Sequence, residues 1–309
     1  MPTLTVLSLC LALAASPHGS PRLSRHAEAS RGLTLVGEAQ KVDSRRAASA
    51  DALVEIENPA GSIHVVGWDR SEVMVTGQLG AGASGLDFTG SGSRIRVGVE
   101  TDRNPHGVVS SLEVHVPVRS RLQIESFAGS ISVSDVSGTV KAETVNGSIT
   151  ITGQAREIQA ETVNGSVEVS GASRNTHVES VNGSVTVRGA SGELQASTVN
   201  GRLEVSGGTF SRAHVETVSG SLSFEGALAS GATLQAETVS GSVVLSLPAS
   251  VAADFSVSTF SGSVDNAFGA PAMRVGRHTP EKELQFSTGG GGASVSVHTL
   301  SGSVTLRKR

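Results

Sequence analysis

The sequence predicts an all-β fold, a single-stranded parallel β-helix or β-solenoid whose coils of 18 to 21 residues wind right-handed. Three observations carry this. The phrases ESFAGSISV, ETVNGSITI, ETVNGSVEV, ESVNGSVTV and STVNGRLEV set Gly129, Gly147, Gly165, Gly183 and Gly201 at intervals of 18 residues. Gly220, Gly241, Gly262 and Gly302 continue the series with steps of 19, 21, 21 and 40. Self-similarity at this period marks stacked units that bury a shared core. Within each unit the apolar residues alternate with period 2, which would scatter them around a helix, and the parity changes once at the glycine turn. The composition agrees, with eight Phe, one Trp and no Tyr in 309 residues. Val, Ile, Leu, Ala and Thr can fill a narrow coil, where a globular domain would use more aromatics.

Residues 1–16 read as a secretory signal. The apolar run Leu4 to Ala15 precedes Ser16 and Pro17, although no Lys or Arg precedes it and Arg22, Arg25 and Arg31 follow. The run is too short to span a bilayer, so no transmembrane span is expected in the mature chain. Cys10, the single cysteine, lies inside it, and bulky Leu9 argues against a lipidation site. The localisation expected is the periplasm, the cell envelope or the exterior. Residues 17–50 lack periodicity and read as a flexible spacer.

The solenoid is expected over 51–309. Residues 51–120 form irregular first coils and a cap: Val54, Ile56, Gly61, Ile63 and Val65 already follow the repeat frame. Strand-like runs follow at Val73 to Gln78, Arg94 to Val99 and Leu112 to Val116, with a loop from Gly80 to Gly92. Trp68 is a packing residue of this cap. Residues 121–265 hold the regular repeats, with Phe210, Phe224, Phe255 and Phe260 filling the wider coils. Residues 266–292, with two prolines and a four-glycine run, form a loop insertion before a final coil at 293–309. Arg307, Lys308 and Arg309 would place charge on the terminal edge.

One rung shows the frame. Ile158, Ala160 and Thr162 face inward, Val163-Asn164-Gly165 turn the chain, and Val167 and Val169 face inward again. Stacking then converts each repeat position into a ladder of like side chains about 4.8 Å apart. The turn ladder is Asn146-Gly147, Asn164-Gly165, Asn182-Gly183 and Asn200-Gly201, with the asparagine amides bonding along the stack and the glycines expected at positive φ. A threonine ladder, Thr144, Thr162, Ser180, Thr198, Thr217, Thr238, Thr259 and Thr299, is expected to face inward beside it, its hydroxyls bonding neighbouring backbone groups. The third ladder, Glu143, Glu161, Glu179, Glu216 and Glu237, faces outward. Each adjacent pair of these carboxylates repels by roughly 0.8 kcal/mol in water, an amount the core can absorb. The acidic ladder reads as a solvated face that discourages aggregation, or as a linear surface for divalent cations or a cationic polymer. One carboxylate per rung is a thin shell for calcium, so no metal site is expected.

Twenty-eight acidic and 24 basic residues, with no basic stripe interleaved with aromatics, exclude a nucleic-acid partner. His177 and His214 stand beside the glutamate ladder, and His177 with Glu179 is the one acid-base pair that could serve a polysaccharide-active enzyme. Lys141, Gln159, Gln195 and Gln235 fill the same column, and no long loop walls a pocket there. No catalytic residue and no cofactor are therefore expected.

The segments IENPAGSIHVVGWD, LEVHVPVRSRLQIESFAGSISVSDVSGTVKAETVNGSI and VHTLSGSVTLRKR resemble the bacterial adhesin-like β-strand-repeat family of domains of unknown function. The likeness covers roughly residues 50–309. It implies an exported or envelope-associated β-solenoid. The expected function is non-enzymatic: an adhesin-like or envelope interaction protein whose partner is an envelope or extracellular polymer or another surface protein. A self-assembling envelope scaffold and an envelope-stress role stand as alternatives, with a polysaccharide-active enzyme behind them.

Overall fold

Each regular coil is two strands meeting at the asparagine-glycine turn. Glu157–Asn164 forms the long side of one coil and Val167–Ser170 the short side, and the chain returns through residues 171–174 to the next long strand, Asn175–Asn182. The computed structural model describes residues 40–80, 82–101, 109–269, 272–274 and 280–309. All lie in one compact unit, Gly37–Arg309. The expected signal, Cys10 and residues 17–39 of the expected spacer fall outside the described residues.

Coil follows coil in parallel register. Val140 pairs with Ile158, Ile158 with Thr176 and Thr176 with Leu194 on the long side, while Ile149, Val167, Val185 and Leu203 align on the short side. These inward columns are buried almost completely. The β-branched side chains that make the sequence a poor helix are what fill the pleated interior. Pairing continues without a break through the long strand Gly192–Leu247, which covers three coils. There the coil widens, and Phe210 and Phe224 fill the added space with ring centroids 5.4 Å apart. Phe255 is also buried, but Phe260 is 52% exposed and does not fill the core as expected. It sits two residues before the turn, where the alternation points outward.

The glycines of the turn are explained by close approach rather than by backbone sign. Of the ten turn glycines, only Gly61 and Gly241 have positive φ. A Cβ on Gly147, Gly165, Gly183 or Gly201 would lie 1.9–2.0 Å from the carbonyl oxygen of the turn glycine one coil earlier. The column runs Gly61, Gly129, Gly147, Gly165, Gly183, Gly201, Gly220, Gly241, Gly302, Gly262.

That order exposes a departure from expectation at the end of the stack. Gly302 stands between Gly241 and Gly262, so the coil 293–308 is inserted between coils 233–247 and 253–266. Its strand, Ala293–Lys308, pairs in parallel with residues 233–247 on one side and with Ala253–Ser261 and Val264–Asn266 on the other. Beyond Ala253–Ser261, and antiparallel to it, lies Lys282–Thr288, where Phe255, Phe268 and Phe286 pack together, and Met273–Arg274 pairs antiparallel with Lys282 and Glu283 at its outer edge. The described residues of 266–292 therefore cap the end of the stack rather than forming a loop before a last coil. Arg307 and Lys308 pair with Ser246 and Leu247 and so lie in this inserted coil and not on the outermost one.

The first coil is inserted in the same way. Residues 53–57 lie between residues 94–98 and 121–125, and residues 61–66 between 110–115 and 129–134. The described residues of the excursion 69–117 build the cap. Two expectations are corrected here. Residues 40–50, assigned to the spacer, belong to the strand Gln40–Trp68, and residues 40–47 pair antiparallel with Glu72–Leu79. The expected loop 80–92 is largely strand, Ala83–Thr101, with glycines at positive φ at Gly82, Gly90 and Gly92. Trp68 stacks on His115 with centroids 5.0 Å apart, lies under Arg70, and donates its indole N–H to the Glu72 carbonyl. No helix among the described residues is long and apolar enough to cross a membrane.

Candidate functional site

Counting back from the turn glycine, every second residue of the long strand points outward. In one coil these are Gln159, Glu161 and Val163, at six, four and two residues before Gly165. Stacking turns them into three columns about 7 Å apart on one sheet face, given a rise of about 3.4 Å per residue.

The middle column is acidic. Glu57, Glu125, Glu143, Glu161 and Glu179 follow one another in register, then Ser197 interrupts, and Glu237 pairs with His298 further on. Glu57 and Glu125 extend the column beyond the expected residues. Both stand four residues before a turn glycine, Gly61 and Gly129, and that spacing was the signal that could have found them.

The column beside it supplies a donor to most of these carboxylates. Gln123 donates to Glu125 at 2.9 Å, Gln159 to Glu161 at 2.7 Å, and Lys141 Nζ stands 2.7 Å from Glu143. His177 Nε2 is 3.2 Å from Glu179 and 3.9 Å from Glu161, whereas His214 stands 3.7 Å from Glu216. These i, i+2 contacts within a strand offset the repulsion along the column. The hydrogen bond with Glu179 raises His177 above the ordinary imidazole value, and the same bond lowers Glu179. Glu216 moves the other way: burial, the largest cause, raises it, and Glu237 adds to the effect. Lys141 is raised chiefly by its bond to Glu143.

The third column is apolar and sequence reasoning missed it. Phe127, Val145, Val163, Val181, Val199, Val218, Val239, Leu300 and Phe260 each precede a turn glycine by two residues. Phe127, Leu300 and Phe260 are more than half exposed and the remaining valines are partly exposed. The asparagine ladder borders this column: Asn164 Nδ2 donates to Asn146 Oδ1 at 2.9 Å, Asn182 to Asn164 at 3.0 Å and Asn200 to Asn182 at 3.0 Å. On the inner side Thr144, Thr162, Ser180 and Thr198 each donate a hydroxyl to the turn-glycine carbonyl of the coil before, at 2.8–3.1 Å.

The chemistry available is that of a long surface. Three open cavities are lined by residues near Arg119, near Gly80 and near Phe127, and none includes His177, Glu179, His214 or Glu216. Among the described residues no three His, Cys, Asp or Glu side chains gather to hold a metal ion.

A parallel β-solenoid of repeated polar and apolar ladders is the class of protein this geometry defines. Residues 109–307 match the Toastrack family of domains of unknown function, DUF4097, and the chain belongs to that family. No curated protein matches it. Among solved structures it is similar to a "putative adhesin" from Bacteroides fragilis, at 7% identity over 86% of this chain and 97% of that one, with a TM-score of 0.44. It is also similar to a "putative cell adhesion protein" from Clostridium sporogenes, at 6% identity over 87% and 100% of the two chains, with a TM-score of 0.27.

Proposed function

We propose that this chain is a non-enzymatic, exported, adhesin-like interaction protein that binds an envelope or extracellular polymer lengthwise along its long sheet face. The observation that carries the reading is the side-by-side run of a glutamate column and an apolar column, repeated at every coil from Phe127 to Val239 with a single gap at Ser197. Such a face suits an extended partner with regularly spaced positive charges and apolar groups. Each rung contributes a weak contact, and linked contacts add through effective concentration. The His177–Glu179 pair stands on this flat face, which favours binding over catalysis because nothing there excludes water from a bound substrate.

The test uses the full chain with chitosan oligomers of increasing length as the cationic probe. Affinity should rise with oligomer length and fall when Glu161→Gln and Glu179→Gln are combined. Affinity independent of both length and substitution overturns the reading, as does turnover of the oligomers. Retention of the protein in the cytoplasm on removal of residues 1–16 is the expected outcome for export.

A further inference from the structure

On the corner where the short side of one coil returns to the long side of the next, the stack carries a notch with a different chemistry. Ser120, Gly138 and Arg156 occupy equivalent positions in three successive coils: a Cβ on Gly138 would lie 2.0 Å from Ser120 O, and Arg156 N donates to Gly138 O at 2.9 Å. Gly138 is required there by close approach to the Ser120 backbone, and the coil that carries Arg119 and Arg121 meets the coil that carries Arg156 at this corner. The result is a cavity of about 650 Å³ lined by Asp51, Arg119, Arg121, Ser137, Gly138 and Arg156.

Its charge is unbalanced. Elsewhere Arg94, Arg188, Arg212 and Arg309 hold Glu55, Glu168, Glu193 and Glu225, whereas the exposed Arg174, Arg202 and Arg307 have no carboxylate partner among the described residues; what marks the notch is that three arginines line one cavity. Arg121 donates to the main-chain oxygen of Asp51 at 3.4 Å, and among the described residues neither Arg119 nor Arg156 has a carboxylate partner. Three guanidinium groups against one carboxylate leave two positive charges uncompensated in a chain whose formal net charge is -4. The glutamate column lies elsewhere on the long face, so the cluster does not serve to neutralise it.

We propose that this notch is a binding site for a phosphoryl group, carried by a phosphomonoester or by free phosphate, with Arg119 and Arg156 as its main ligands. A phosphate monoester at neutral pH carries nearly two negative charges, matching the excess, and its oxygens accept the forked donors of guanidinium groups. The Ser137 hydroxyl is engaged with Val118 O, which leaves the arginines to provide the charge-assisted contacts. The cavity also has room for the organic part of a monoester beside the phosphoryl group.

The experiment is calorimetric titration of the full chain at low ionic strength with inorganic phosphate, glucose 6-phosphate and glucose. Saturable binding of either phosphate probe, weakened at least about tenfold by Arg119→Gln and by Arg156→Gln, is expected from the loss of a charged hydrogen bond. Arg188→Gln, on the short side, should leave it unchanged. Tighter binding of glucose 6-phosphate than of phosphate identifies a phosphorylated saccharide as the source, and equal binding identifies free phosphate. The proposal is overturned if neither phosphate probe binds saturably, or if Arg188→Gln weakens binding as much as Arg156→Gln. Circular dichroism of each variant separates lost binding from lost fold, since all three side chains are exposed.

Discussion

The Cβ that Gly165 lacks would lie 2.0 Å from the carbonyl oxygen of Gly147, one coil earlier in the stack. A methyl group there has no side chain to displace, because the obstacle is backbone. Gly165→Ala must therefore push two coils apart in the regular part of the solenoid, and about 3 kcal/mol of destabilisation is expected. Gly231→Ala is the matched control. Gly231 has a φ of +71° with open space around it, so only the backbone conformation opposes the substitution, at roughly 1–2 kcal/mol. Urea unfolding of the two variants should give the larger loss for Gly165→Ala. The reverse order would show that the stack absorbs the close approach at Gly165 at little cost.

Thr162 and Thr238 occupy the same column with different hydrogen bonding. Thr162 Oγ1 donates to Gly147 O at 3.0 Å as expected, whereas the buried hydroxyls of Thr217, Thr238 and Thr299 have no partner among the described residues, contrary to expectation. The difference follows coil length. Where the glycines step by 18 residues the hydroxyl meets the carbonyl at 2.8–3.1 Å; after Gly201 the steps are longer, three of the four threonines miss it, and Thr259 reaches Gly302 O only at 3.4 Å. Thr162→Val leaves the Gly147 carbonyl without that donor and should cost about 1–2 kcal/mol, while Thr238→Val removes an unpaired hydroxyl at no loss or with a small gain. Equal losses at the two sites would refute this account.

What was legible in the sequence, and what was not, follows from the nature of a repeat. The phase within a coil is written in every copy. Ile158, Ala160 and Thr162 face inward because period 2 leaves them no other face, and Glu57 and Glu125 join the glutamate column by the same four-residue spacing to the turn. The order of coils is not written that way. Val295, Val297 and Thr299 fit the interior at either of two positions, and so do Phe255, Val257 and Thr259. What distinguishes them is Phe255, whose ring needs Phe286, stacked with centroids 4.5 Å apart, and Phe268 to cover it. Those partners lie in the very segment that breaks the period. The arginine notch was hidden for a related reason: Arg119, Arg121 and Arg156 converge only once the coils are stacked, with Gly138 between them.

The inserted last coil can be tested by crosslinking. Gln235 is in register with Ser296, and Ser296 with Ser256, so Gln235 and Ser256 are two coils apart. Neighbouring parallel strands lie about 4.8 Å apart, within the Cα separation a disulfide spans, whereas two coils do not. In a Cys10→Ser background, Gln235→Cys with Ser296→Cys should oxidise to a disulfide, and Gln235→Cys with Ser256→Cys should remain reduced. Mass spectrometry after alkylation reads the result. The opposite pattern would return the coils to their order in sequence.

The His177–Glu179 pair gives the stack a pH dependence whose sign can be worked out. His177 is raised in the folded protein, so its contribution is fully present below the unfolded imidazole value and is lost as pH rises through the folded one. Glu179 is lowered, so its contribution is present above the unfolded carboxylate value and is lost as pH falls through the folded one. The pair therefore stabilises most strongly in mildly acidic solution, between the two unfolded values. Glu216 opposes it: burial raises this carboxyl, so its ionisation costs stability as pH rises through the carboxylate range. His177→Gln retains a donor like Gln159 but removes the titration. It should lower stability by about 0.5 kcal/mol at pH 5.5, a typical worth for a partly exposed ion pair, and by much less at pH 9. Urea midpoints of the parent and His177→Gln across this range provide the measurement. A loss that stays constant with pH would show that the histidine acts here by packing alone.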